Sequence, residues 1–173
     1  MDNKTYLEQS AKTDAHGNFN FPEATRTRLI NALRRFLTSM AELDAIKRDI
    51  FYVSASPADQ VETSRDLTHG ILGVITEAQE MAEVYLDHLE NGTELDFENL
   101  REESGDVLWY IACILRGVDS DFDAAMAGNI AKLKARFPDK FDSTKARAPR
   151  NKRKEMEAMK EAETATREEV KST

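Results

Sequence analysis

One cysteine, four prolines and seven glycines are all the special residues that 173 positions contain, and each scarcity excludes something. Cys113 alone cannot close a disulfide within the chain, so a stapled secreted scaffold is excluded. So little Gly and Pro leaves no punctuation for many short strands and turns. No run of 18 apolar residues and no basic-then-apolar leader occurs, so no membrane segment is expected, and a reducing cytoplasm is the expected compartment. Basic residues are also in the minority, 24 against 32 acidic, for a net charge of −8. Phosphate-backbone binding needs clustered Lys and Arg, so a general nucleic-acid binder is not expected.

What is present favours helices. Ala, Leu, Glu, Lys, Arg and Met abound, and 40% apolar residues suffice for a core. The fold class expected is all-α, a bundle of four to five helices over residues 21–144. Residues 1–20 are polar and aperiodic and read as an N-terminal arm or loop. Residues 145–173 hold nine basic and six acidic residues with few apolar ones, and read as a charged tail, an exposed helix or disordered.

Helix boundaries follow from caps and periodicity. Asn20-Phe21-Pro22-Glu23 starts a first helix, whose Leu29, Leu33, Phe36, Leu37, Met40, Leu43 and Ile50 recur at steps of three and four, ending near Tyr52. Ser56-Pro57-Ala58-Asp59 reads as a second start, and Asn91-Gly92 stops that helix. Asp96 or a neighbour caps a third. Asp121 caps a fourth, which runs to Phe137 before Pro138.

The second and third helices each carry a carboxylate pair three residues apart: Glu77 with Glu80, and Glu103 with Asp106. Residues at that spacing share a face, so two facing helices present four carboxylates to one another. A hard divalent cation wants several oxygen ligands, and Mg²⁺ commonly takes a few carboxylates plus substrate phosphates. Any one pair alone reads as the wet face of an amphipathic helix. Two pairs flanking a short Asn-Gly turn point to a metal. Asn129, Lys132 and Arg136 follow one face of the fourth helix, suited to phosphates or else to an ordinary basic stripe at a helix C-terminus. Tyr110, four after Asp106, offers a hydroxyl to phosphate or is a core tyrosine. Trp109, in an apolar run, reads as core, with stacking on a base as the alternative. His69 lies eleven residues before Glu80, about 16 Å along a straight helix, too far to be a co-ligand.

Three blocks in order carry a family resemblance: Leu72-Gly73-Val74-Ile75-Thr76-Glu77-Ala78-Gln79-Glu80, Glu102-Glu103-Ser104-Gly105-Asp106-Val107-Leu108-Trp109-Tyr110, and Asn129 to Pro138. Over about residues 66 to 142 the chain resembles the MazG-like all-α nucleotide pyrophosphohydrolases, whose motif is E-x-x-E followed by E-x-x-D. The resemblance implies a helical bundle paired into homodimers or homotetramers, with Glu77, Glu80, Glu103 and Asp106 holding Mg²⁺, or Mn²⁺ in its place, at the catalytic site. It implies substrate contacts from Tyr110, Asn129, Lys132 and Arg136, and hydrolysis of a nucleoside triphosphate to monophosphate and pyrophosphate. Two departures stand out: Thr76 where many members have a Glu, and Gln79 where a Gly is frequent. Neither removes a ligand, but both leave open which carboxylate is the general base. Leu43 to Tyr52 looks like a basic helix end of some phage-type relatives. Lys47 and Arg48 in it read as solvated surface, with a phosphate contact as the alternative.

Two other readings compete. A di-iron carboxylate bundle needs Glu-x-x-His, which the chain lacks. A non-catalytic helical interaction protein would suit the acidic body and basic-leaning tail. Within the superfamily, a phosphoribosyl-ATP pyrophosphohydrolase would carry the same metal site. The base and sugar of the substrate are not legible.

Overall fold

Helix ends fall where side chains satisfy the free N–H groups of a first turn. Asp96 accepts from the amides of Glu98 and Asn99, Asp121 from that of Ala124, and Asp142 from those of Thr144 and Lys145. Gly92, at φ +68°, takes the left-handed conformation just past a helix end that a side chain would resist. The computed structural model describes residues 2–12, 22–52 and 65–171. Within them the protein is all-α, with no strand: α1 (Asn3–Lys12), α2 (Glu23–Tyr52), α3 (Arg65–Asn91), α4 (Phe97–Gly117), α5 (Phe122–Arg136), α6 (Ser143–Arg147) and α7 (Lys152–Lys171). These are seven helices against the four or five expected. The expected start at Ser56-Pro57 lies outside the described residues, as do Asn20 and Phe21. Among the described residues no helix is long and apolar enough to cross a membrane.

Two compact units make up the chain. In the first, α3 packs antiparallel on α4, and α2 packs antiparallel on α3. Small residues set the α3–α4 approach. A Cβ on Gly117 would meet the Leu67 side chain at 2.7 Å, one on Gly70 the backbone oxygen of Tyr110 at 2.8 Å, and one on Gly73 the Tyr110 ring at 2.0 Å. Along α2, the Arg26 guanidinium reaches the Leu89 carbonyl, Arg34 Nε bonds Glu90 Oε1 at 2.6 Å, and Lys47 Nζ bonds Thr76 Oγ1 at 2.8 Å. Among the described residues Leu89 and Cys113 are the buried apolar side chains of this unit, while Ile71, Leu108 and Trp109 are half exposed. Trp109, read from sequence as core, is therefore corrected: 55% of it faces outward. Its place in an apolar run misled, because that run wraps around α4 and the packing on α3 leaves this side chain more than half exposed among the described residues.

The second unit contains α1, α5, α6 and α7, with α5 packed on α7 and α1. The N-terminal arm is in fact helical over Asn3–Lys12, started by Asp2, whose carboxylate accepts from the Thr5 amide and hydroxyl. Tyr6 and Leu7 are too few to give it a legible period. The tail is also more than a free charged helix. Glu155, Met159 and Glu163 recur every four residues; Glu155 is buried and ion-paired to Arg150, and a Cβ on Gly128 of α5 would touch both Glu163 and Met159. A face built from the alkyl stems of glutamates and a methionine buries surface that an apolar-residue pattern does not register.

Candidate functional site

The α3–α4 register that stacks Gly73 under Tyr110 brings Glu77 and Glu80 of α3 beside Glu103 of α4. One oxygen each from Glu77, Glu80 and Glu103 lies within 4.8 Å of the other two. Glu77 and Glu103 are buried and Glu80 is exposed. Asp106, also exposed, stands one turn further along α4 and outside that trio, though its charge is felt at Glu103. Three of the four motif carboxylates thus converge, and the fourth flanks them.

Their titration reflects the crowding. Burial pushes the Glu103 carboxyl up, the Asn99 amide opposes this with a hydrogen bond of 2.8 Å, and the charges of Glu77 and Asp106 push further upward. Burial and then the charges of Glu103, Glu77 and Glu83 raise Glu80, against a smaller pull downward from Lys47. Like charges gathered in this way call for a cation.

Beside the trio opens a cleft of about 380 Å³ whose lining includes Asp44, Arg48, Thr76, Gln79, Glu80 and Asn99. That volume falls within the range of small-molecule sites, about 300–1,000 Å³. Two oxygens of lining residues, Gln79 Oε1 and Asn99 Oδ1, are buried and meet no hydrogen-bond donor among the described residues. Their amide nitrogens are committed, to Glu83 and Glu103 respectively. Carboxylate oxygens gathered within 4.8 Å of one another, with neutral acceptors nearby, could hold a hydrated hard divalent cation, whose bound waters would donate to those acceptors.

Lys47 corrects the sequence reading most sharply. It is buried, at 9% exposure, and not solvated surface. Its ammonium donates to Thr76 Oγ1, pairs with Glu77 Oε1 at 3.7 Å and sits 4.7 Å from the Tyr110 ring centroid. The Thr76 hydroxyl donates in turn to the Gly73 carbonyl at 2.9 Å, which turns its lone pairs toward Lys47. The signal was present: Lys47 interrupts the stripe Met40, Leu43, Ile50 at steps of four and three, and Asn99 lies four residues before Glu103 on the same face. Arg48 is exposed and bound to Asp44. Tyr110 is half buried, its ring shared between Gly73 and Lys47, and edge-on contacts join it to Trp109 and His69. His69 is drawn below its ordinary pKa by burial and by Lys47 and Arg65, and belongs to this aromatic group and not to the carboxylate trio.

Asn129, Lys132 and Arg136 belong to α5 in the other unit. Asn129 donates to the Tyr6 hydroxyl at 2.9 Å, and Arg136 donates to the Ala146 carbonyl at 2.7 Å. The charges of Arg136 and Lys132 help, after Arg150, to hold the Glu155 carboxyl low.

Residues 66–141 match the family profile of the MazG nucleotide pyrophosphohydrolase domain. The match runs from α3 to just past α5 and contains all four motif carboxylates; Lys47 lies outside it. Comparison with curated proteins and with solved structures gave no match.

Proposed function

From the MazG nucleotide pyrophosphohydrolase domain at residues 66–141, we propose that this chain hydrolyses a nucleoside triphosphate to its monophosphate and pyrophosphate, with Mg²⁺ held by Glu77, Glu80, Glu103 and Asp106. The observation that supports it best is the convergence of three carboxylate oxygens within 4.8 Å between α3 and α4. A bound Mg²⁺ would polarise phosphoryl oxygens and lower the pKa of the attacking water. The chain's own groups do the rest. Lys47 pairs with Glu77, Asn99 holds Glu103, and Glu80, exposed beside the cleft, is the carboxylate best placed to accept the proton of the water. Arg48, in the cleft lining, offers a guanidinium to phosphate oxygens. Tyr110, Asn129, Lys132 and Arg136 remain candidates for substrate contacts, on the strength of the family resemblance.

A panel of nucleoside triphosphates incubated with Mg²⁺ and then Mn²⁺, with chromatography of the products, tests the reading. Monophosphate and pyrophosphate in equal amounts are expected. A diphosphate with free phosphate as first products would assign the chain another chemistry.

Pairing with a second copy forms part of the same proposal. The half-exposed Ile71, Leu108 and Trp109 supply apolar surface for it. Sedimentation of the full chain is expected to give a dimer or tetramer, and Leu108→Glu with Trp109→Glu a smaller species. An unchanged mass for the double variant would place the interface elsewhere.

A further inference from the structure

A buried cation is already built into the acidic cluster. We propose that Lys47 is the internal counter-cation of this site, paired with Glu77 and setting the affinity for a free divalent ion low. The inference rests on the metal-binding reading of the carboxylates given above.

Three contacts fix the ammonium where it acts. Nζ donates to Thr76 Oγ1 at 2.8 Å, lies 3.7 Å from Glu77 Oε1, and faces the Tyr110 ring at 4.7 Å from its centroid. The hydroxyl it bonds is itself held by the Gly73 carbonyl, and the ring it faces is held against Gly73 by a contact that leaves no room for a Cβ. The charge is therefore anchored, unlike that of a lysine on a mobile stem. Its field also reaches Glu80, where it opposes the effect of the neighbouring carboxylates.

The sign of its effect on metal binding follows from distance. Mg²⁺–oxygen bonds are about 2.1 Å. An ion on Glu77 Oε1 can then be no further from Nζ than that bond added to the 3.7 Å ion pair, or about 6 Å. At a dielectric near that of water, a unit charge about 6 Å from a divalent ion weakens its binding roughly tenfold, and more where water is excluded. Orientation of Glu77 works the other way, but burial and the helix backbone already confine that side chain. Repulsion is the larger effect. A substrate bringing phosphate charge of its own offsets it, so the ion is held firmly only together with substrate.

The test is calorimetric titration of the full chain with Mn²⁺ alone, above the carboxylate titration range, for the parent and for Lys47→Met, Lys47→Gln and Lys47→Arg, each melted in chelator to confirm folding. Lys47→Met and Lys47→Gln are expected to bind Mn²⁺ at least about tenfold more tightly than the parent. Lys47→Arg, which keeps the charge, is expected to stay close to the parent. Folded neutral variants that bind Mn²⁺ no better than a parent that does bind it would overturn the role of Lys47 while leaving the metal site standing. A tightening in Lys47→Arg equal to that in Lys47→Met would show that charge is not the cause. Absence of Mn²⁺ binding in the parent and every variant would remove the metal site itself, and this inference with it.

Discussion

Glu80→Gln is expected to lose nearly all pyrophosphohydrolase activity while melting, in chelator, at or above the temperature of the parent. The substitution keeps the size of the side chain and removes one charge from a trio whose oxygens lie within 4.8 Å of each other. Two like charges at about 4 Å cost between roughly 1 kcal/mol in water and 4 kcal/mol at an effective dielectric of 20. Glu80 is exposed, so its relief belongs near the lower figure. With Mg²⁺ the order reverses. A parent saturated to about a hundred times its dissociation constant gains about 2.7 kcal/mol, and a variant lacking one ligand gains less. Turnover is expected to fall at least about a hundredfold, or roughly 2.7 kcal/mol in the barrier.

The pH dependence of the same melts has a definite sign. Burial and like charges raise the carboxyls of Glu80 and Glu103 above the ordinary glutamate value of 4.5. The folded state therefore holds protons that the unfolded state has released. Stability from these two groups is complete below 4.5 and is lost as pH rises through their folded values. In chelator the parent's melting temperature should fall across that window, and that of Glu80→Gln should fall less. An active Glu80→Gln enzyme with an unchanged metal-dependent shift would sink the proposed site.

Gly73→Ala is expected to destabilise the chain by about 1–3 kcal/mol, the usual range for overpacking. Alanine is ordinarily the better helix residue by about 1 kcal/mol, so propensity alone gives the opposite sign. The clash decides, because the added Cβ would lie 2.0–2.3 Å from three atoms of the Tyr110 ring. Carbon atoms prefer about 3.5–4.0 Å, and a ring packed between helices cannot withdraw as a flexible chain end does. Gly105 is the control: a Cβ there meets nothing within 4 Å among the described residues, so Gly105→Ala should stabilise by about 0.5–1 kcal/mol. Denaturant unfolding of both variants measures the difference. Equal effects at the two positions would mean that the close approach at Gly73 is not what holds α4 to α3. Displacing Tyr110 also removes the ring that faces Lys47, so Gly73→Ala should alter Mn²⁺ binding while Gly105→Ala leaves it alone.

The sequence by itself determined the helical class, the end of α2 near Tyr52, the end of α3 at Asn91-Gly92, the starts of α4 and α5 at Asp96 and Asp121, and the pairing of Glu77 with Glu80 and of Glu103 with Asp106. These are local matters: propensity, caps such as Asp96 and Asp121, a Gly92 stop, and a three-residue spacing that puts two side chains on one face. Only the tertiary structure decided what each face meets. Lys47 looks like any basic residue near a helix end until α2 is laid against α3, where it becomes the buried partner of Thr76 and Glu77. Trp109 looks like core until its packing beside α3 leaves more than half of it exposed among the described residues. α7 looks unable to pack until its Glu163 and Met159 stems close over Gly128. Burial depends on which surfaces two elements bring together, and a pattern along one element records that only when its buried face is plainly apolar. Here several buried faces are built from lysine, threonine, glutamate and glycine, so the packing that sets the charge at the candidate site had to come from the fold.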